Sequence, residues 1–403
     1  MARAENERRR MVVVLRRRMN GRDPNETHRA STPLELLFDL CFVVAISMAA
    51  IELHHGIGEG HLGPFVLRYV LVFFAIWWGW VNFTWFASAY DTDDVAYRLL
   101  TLLQIAGVLV FAVGIPAGMG HFDFTVMVLG YVVMRVALIG QWLRAAREDP
   151  AGRPAAVRYA AGVGIVQLGW LGWLALPTAV AYPVFVVLAA AELVVPLWAE
   201  YRGTETSWHP EHIAERYGLF TIIVLGEAIL GITESLQGAL AGGGLSGTVA
   251  MLAIGGLLIV FGLWWAYFKA PAAEGLRGAL RTTASWAYAH YVVYAGIAAL
   301  GAGFEVAVDV ATHHSEATPV TAAASIAVPL AAVVVVLVWL QRRLGFDSGE
   351  PVVLVGALLI LGLAVAASAW NLGLCVLLMG VLLAAMVAVS LVTGARRGGV
   401  EVN

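Results

Sequence analysis

Charged residues are scarce in this chain of 403 residues. Only 13% are Asp, Glu, Lys or Arg, 60% are hydrophobic, and the mean hydropathy is +0.79. A soluble domain carries about 25% charged residues, so the composition excludes an ordinary soluble protein. The two cysteines, Cys41 and Cys375, both lie in apolar runs, which excludes a disulfide framework and a CxxC metal pair. No Walker motif occurs, so ATP hydrolysis is not expected.

Long apolar runs fill the chain and predict an all-α integral membrane protein with about twelve transmembrane helices. Each run approaches the ~20 residues that a helix needs to cross a bilayer. The predicted spans are 33–53, 64–89, 98–117, 123–144, 157–177, 180–199, 213–236, 247–268, 285–304, 319–341, 352–370 and 371–393.

The orientation follows from the positive residues, which collect on the cytoplasmic side of membrane proteins. The residues before the first span include Arg3, Arg8, Arg9, Arg10, Arg16, Arg17, Arg18, Arg22 and Arg29. Nearly all later Lys and Arg residues fall on the same side if twelve spans are counted. We therefore expect a multi-pass protein of the bacterial cytoplasmic membrane with both termini in the cytoplasm. The apolar stretch MVVVL is too short for a signal peptide, so residues 1–22 are predicted to be a disordered basic tail.

Three weak matches in the same order suggest that the two halves of the chain are related. TPLELLFDLCFVVAIS at 32–47 resembles IAERYGLFTIIVLGEAI at 213–229, and later pairs follow in spans 2 and 8 and in spans 3 and 9. Parallel six-helix repeats are one known transporter architecture. The predicted organisation is a cytoplasmic tail, two six-helix halves and a second cytoplasmic tail, at 1–31, 32–202, 203–395 and 396–403.

Ionisable groups inside a bilayer are costly, so each one is a candidate functional residue. The candidates for a substrate or proton site are Glu35, Asp39, Glu215, Glu227 and His290. Glu35 also has a structural explanation, because it follows Thr32-Pro33 at a predicted helix start. Glu227 lies near mid-bilayer, and we expect it to meet Asp39 and His290. A lone histidine on an apolar helix, such as His290, is more often a hydrogen-bonded core residue, although its titration range suits a proton carrier.

Arg135 and Glu192 lie at equal predicted depths in spans 4 and 6, which predicts a buried structural ion pair. A second polar cluster is predicted at the inner edge of the membrane. It comprises Asp91, Asp93, Asp94, His212 and Arg216. Three aspartates in four residues are able to bind a divalent cation, but a solvated helix end is the simpler interpretation. No metal site is predicted.

Several motifs together resemble those of the bacterial low temperature requirement A family. They are TPLELLFDLCFVVAIS, DTDD, HIAERYGLFTIIVLGEAIL and YAHY at 288–291. The resemblance covers residues 30–395 and implies an integral membrane protein named for growth at low temperature. It transfers no catalytic set. Its matching residues include Glu35, Phe38, Asp39, Asp91, Asp93, Asp94, His212, Glu215, Arg216, Gly226, Glu227 and His290.

The leading functional hypothesis is a secondary transporter of unknown substrate, coupled to protons, with an inward-facing polar cavity. A membrane enzyme acting on a lipid or isoprenoid carrier is the first alternative. A scaffold or sensor that supports growth in the cold is the second. The expected partners are the lipid bilayer and a small-molecule or ion substrate. No cofactor, catalytic residue or nucleic-acid partner is predicted.

Overall fold

The computed structural model describes residues 15–23, 26, 29–201, 206–241, 246–276, 280–346 and 350–397, which form helices and no strand. Backbone groups have no water to bond in a bilayer, so apolar runs must satisfy them within helices. The helices are α1 Pro33–Gly58, α2 Leu62–Tyr90, α3 Val95–His121, α4 Thr125–Glu148, α5 Arg153–Trp173, α6 Thr178–Ala199, α7 Pro210–Ala241, α8 Gly247–Phe268, α9 Ala272–Gly275, α10 Leu280–Ala311, α11 Pro319–Arg343, α12 Glu350–Ala366 and α13 Leu372–Arg397.

Every predicted span corresponds to one of these helices, and the four-residue α9 is additional. Over the residues that the structure describes, ten helices are long and apolar enough to cross a membrane. The helices α5 and α12 are not among the ten, and α12 has only 17 residues. The chain is therefore an all-helical, multi-pass membrane protein.

Hydroxyl side chains begin several helices by accepting a backbone N–H that has no partner within the helix. Thr318 accepts from the Thr321 amide before α11, and Ser246 accepts from the Val249 amide before α8. Thr318 follows the polar stretch THHSEA at 312–317, so the sequence marks this helix start directly.

The prediction of a disordered tail is wrong for residues 15–22. Met19 is completely buried, and its amide donates to the Glu148 carboxylate over 2.6 Å. The Arg22 amide donates to the Ala89 carbonyl over 3.0 Å. The backbone amides of this segment find acceptors at the ends of α2 and α4, which a composition argument does not reveal. Arg3, Arg8, Arg9, Arg10 and residues 398–403 lie outside the described residues.

The chain divides into two compact units. The first unit comprises Met1–Ala45, Trp78–Gly114 and Asp123–Ile213, and the second comprises Ile46–Trp77, Ile115–Phe122 and Ala214–Asn403. The helices α1, α2 and α3 contribute residues to both units.

Glycines set the closest helix contact in the first unit. A Cβ atom on Gly130 of α4 would lie 2.6 Å from the carbonyl oxygen of Gly107 in α3, so the two backbones touch. Small residues permit this approach between helices that have no hydrophobic driving force in lipid. The helix α5 packs between α4 and α6 in the same unit.

Glycines also permit close backbone contact between α8 and α13 in the second unit. A Cβ atom on Gly255 would lie 2.8 Å from the Val376 carbonyl, and one on Gly380 would lie 2.7 Å from the Gly255 carbonyl. The helix α11 packs against both α10 and α12. The contact with α11 positions α10, which carries Glu305 and Asp309.

Candidate functional site

Glu35 lies at the start of α1, where it forms a capping box with Thr32. The Thr32 amide donates to Glu35 Oε2 over 2.8 Å, and the Glu35 amide donates to Thr32 Oγ1 over 3.3 Å. Glu35 Oε1 also lies 3.1 Å from Nε2 of His212, and both side chains are fully buried. The structure therefore brings together two of the predicted site residues, and the capping explanation of Glu35 holds as well.

Asp39 lies one turn further along α1 and is fully buried. Trp80 of α2 donates its indole N–H to Asp39 Oδ1 over 2.7 Å. A carboxylate at this depth requires such a donor, because an isolated buried charge is costly. The available signal in the sequence was the group of tryptophans in span 2, at Trp77, Trp78, Trp80 and Trp85.

The aspartate loop between α2 and α3 is bound mainly by arginines. Arg98 forms a bidentate pair with Asp93 at 2.7 and 2.8 Å. Arg144 of α4 contacts Asp94 at 2.5 and 2.8 Å, and Asp94 also caps α3 by accepting the Tyr97 amide. These contacts are those of a structural network at a helix junction.

Asp91 differs from its neighbours. Its burial, and then the negative charge of Glu35, raise its pKa from 3.8 to about 6. The folded state thus binds more protons than the unfolded state between about pH 4 and pH 6, so stability falls as the pH rises through this window. We expect Asp91→Asn to raise the unfolding temperature at pH 7.5 and to change it little at pH 4.5. Thermal unfolding in detergent, followed by tryptophan fluorescence, measures this.

Asp94 provides the matched control with the opposite sign. Burial opposes its ionisation, but the hydrogen bonds from Arg144 and from two backbone amides prevail and lower its pKa from 3.8 to about 2. Its stabilising effect is present above pH 4 and is lost as the pH falls towards 2. Asp94→Asn should therefore lower the unfolding temperature at pH 7.5. An equal shift of the same sign in both variants would contradict the assignment.

The predicted partners Arg135 and Glu192 lie in one buried network of the first unit. Arg135 Nη2 lies 3.3 Å from Glu192 Oε1, and both side chains are at most 2% exposed. The indoles of Trp78 and Trp170 donate to the same carboxylate over 2.8 and 3.2 Å, and Arg135 also contacts the Tyr131 hydroxyl. Three helices besides α4 thus supply donors or acceptors to one ion pair.

In the second unit, His290 of α10 has a partner at each ring nitrogen. Its Nδ1 lies 2.8 Å from the Trp286 carbonyl, and its Nε2 lies 3.0 Å from the Tyr267 hydroxyl. The Tyr217 ring packs edge-on against it at 4.8 Å. A carbonyl can only accept, so Nδ1 carries the proton and Nε2 accepts from the tyrosine. Of the two charged residues that precede Tyr217 in α7, Glu215 is exposed and Arg216 is buried.

Glu227 does not contact His290, contrary to the expectation from the sequence. His290 contacts Tyr217, which precedes Glu227 by ten residues along α7, or about 15 Å at the rise of an α-helix. The Glu227 carboxyl instead lies beside the Ser47 side chain of α1 and is partly exposed. The two side chains therefore lie at different levels along their helices, and this axial offset separates them.

A cavity of about 540 Å³ lies at the C-terminal ends of α1, α7 and α10 in the second unit. Its charged lining comprises His54, Glu234, Glu305, Asp309 and His314. We call this cavity the acidic vestibule. His54 Nδ1 lies 3.1 Å from Glu305 and Nε2 lies 2.7 Å from Asp309. None of these five residues is among the candidates predicted from the sequence, because residues 54–63 fall in a predicted loop and the predicted cavity lies among the cytoplasmic motifs.

Glu227 is connected to the acidic vestibule along one face of α7. A Cβ atom on Gly231 would lie 2.8 Å from Glu305 Oε1, so the Glu305 carboxyl rests on this glycine, one turn after Glu227. Glu305 interacts electrostatically with both Glu227 and Glu234. The spacing of these residues in the sequence was the available signal. Glu227, Gly231 and Glu234 share one face of α7, and Glu305 and Asp309 share one face of α10.

Comparisons with known proteins place the chain in a family. The family model described as bacterial low temperature requirement A protein matches residues 30–391. An uncharacterized protein of Rhizobium meliloti (strain 1021) is 31% identical over 308 residues, which cover 69% of this chain and 70% of the relative. No solved structure matches. The motifs at α1 and α7 and the extent of the match agree: the chain belongs to the bacterial low temperature requirement A family.

Proposed function

We propose that this protein is a secondary transporter coupled to protons, and that Glu227 carries the coupling proton. One observation supports it most: a row of titratable groups runs from Glu227 past Gly231 to Glu305 and into the acidic vestibule. Carboxyl groups within membrane spans mark ion and proton pathways. The neighbouring Ser47 hydroxyl is able to serve Glu227 in either protonation state, because a hydroxyl both donates and accepts.

The proposed topology is that of a cytoplasmic-membrane protein with twelve crossings and both termini in the cytoplasm. On this topology α1, α7 and α10 end at the outer face, so the acidic vestibule opens to the outside. We also propose that the chain forms two parallel six-helix halves, divided near residue 203. The pairing of Asp93 and Asp94 with arginines supports a structural role at the inner edge rather than the chemistry of a lipid-modifying enzyme.

Proton flux in proteoliposomes tests the proposal. The purified protein is reconstituted with a pH-sensitive dye inside, and cationic, anionic and neutral solute mixtures are added outside in turn. We expect one class to drive proton movement in the wild type and Glu227→Gln to slow it at least tenfold, because glutamine has nearly the same size and shape but carries no titratable proton.

Glu59→Gln is the matched control, because Glu59 is an exposed carboxylate after α1 and outside the row. Its flux should equal that of the wild type. If no solute class moves protons above the level of empty liposomes, or if Glu227→Gln retains the full rate, the proposal is wrong.

A further inference from the structure

We infer that the acidic vestibule binds an organic monovalent cation, an amine in its ammonium form, in exchange for a proton shared by His54, Glu305 and Asp309. This deepens the proposed function and rests on it for the direction of transport. The binding step itself stands on the geometry of the second unit alone.

The three side chains together hold an exchangeable proton. Both nitrogens of His54 lie within hydrogen-bond distance of a carboxylate, at 3.1 Å from Glu305 and 2.7 Å from Asp309. A neutral imidazole donates from one nitrogen only. Both contacts are therefore satisfied when the triad holds two protons, either as an imidazolium between two carboxylates or as a neutral imidazole beside one protonated carboxyl. In both forms the net charge of the triad is −1.

The surroundings of the triad favour a cation. His54 is four residues from the end of α1, Asp309 is two residues from the end of α10, and Glu234 lies in the last two turns of α7. The C-terminal ends of helices carry partial negative charge and unpaired carbonyls, which attract cations. Among the described residues, the other charged or titratable groups that line the vestibule are Glu234 of α7 and His314 after α10, and His55 adjoins His54. The groups there that are able to carry positive charge beside the carboxylates are thus imidazoles.

The size and lining of the cavity indicate an organic ammonium ion rather than a bare metal ion. Its volume of about 540 Å³ lies within the ~300–1,000 Å³ of small-molecule sites. Among the described residues, no group of three or more His, Cys, Asp or Glu side chains has the geometry to hold a metal ion. Val308 and Ala239 supply an apolar wall for an alkyl chain.

The exchange is balanced in atoms and charge. One N–H or O–H bond of the triad breaks, and its proton passes to water or buffer. The triad then has a charge of −2, and the N–H groups of the incoming ammonium donate to Glu305 and Asp309. The net charge is −1 before and after, so no uncompensated charge is created near the membrane.

Calorimetric titration of the full-length protein in detergent tests the inference, with n-butylammonium chloride as the probe. Titrations in two buffers of different ionisation enthalpy count the protons released. We expect binding with proton release at pH 7, and tighter binding as the pH rises from 5.5 to 8, up to tenfold per pH unit. Sodium chloride at equal ionic strength and 1-butanol should give no such signal. If butylammonium does not bind, or binds with pH-independent affinity, the inference is wrong.

Two variants sharpen the test. Glu305→Gln should weaken butylammonium binding at least tenfold, and His54→Gln should strengthen it and release fewer protons, because the internal competitor is gone. Glu59→Gln should behave as the wild type. If the amine binds with proton release but no solute drives proton flux in proteoliposomes, the transport proposal is wrong and the amine site stands. If other solutes drive proton flux but the amine does not bind, the amine site is wrong and the transport proposal stands.

Discussion

Replacing Arg135 by methionine is expected to destabilise the protein by about 3–5 kcal/mol, because the change leaves the buried Glu192 carboxylate without its counter-ion. Two indole N–H groups continue to donate to that carboxylate, but neutral donors do not cancel its charge. The unfolding temperature in detergent, followed by tryptophan fluorescence, should fall sharply and the yield of folded protein should fall with it.

The double variant Arg135→Met/Glu192→Gln separates charge from packing. Glutamine retains an acceptor for Trp78 and Trp170, so the double variant should be more stable than Arg135→Met alone. Arg98→Met is the matched control, since the Arg98–Asp93 pair is 43% and 46% exposed and is worth below about 1 kcal/mol. Equal unfolding temperatures for Arg135→Met and Arg98→Met would show that burial of the pair has no energetic consequence.

Gly130→Ala is expected to cost about 1–3 kcal/mol, although it adds a single methyl group. The new Cβ would lie 2.6 Å from the Gly107 carbonyl oxygen and would also press on the Phe111 amide, both of which are backbone atoms. Backbone cannot rotate away as a flexible side chain can, so α3 and α4 must separate. A lower unfolding temperature measures the loss of this contact.

Gly362→Ala in α12 is the same chemical change without the contact. No atom lies within 4 Å of the added Cβ there, and the residue is exposed. Alanine is the better helix former, by about 1 kcal/mol, so this variant should be as stable as the wild type or more stable. If both alanine variants shift the unfolding temperature equally, the α3–α4 contact is not close-packed as the structure has it.

Local features of the protein could be predicted because they depend on residues near one another in the chain. Apolar runs of about 20 residues predicted a helix at every position where a long one is found. Thr32-Pro33 followed by Glu35 predicted the start of α1, and the capping box is present. Equal depth in two spans suggested the pair of Arg135 and Glu192, which lie 3.3 Å apart.

The sequence by itself thus determined the class of the protein, the position of its helices and the family to which it belongs, because hydropathy, caps and motifs are encoded locally. Only the tertiary structure decided which titratable groups meet. His54 contacts residues more than 250 positions away, and Glu227 lies beside Ser47 rather than beside His290. These encounters depend on the rotation of each helix about its axis and on glycine contacts that set helix spacing. A linear measure of depth contains neither.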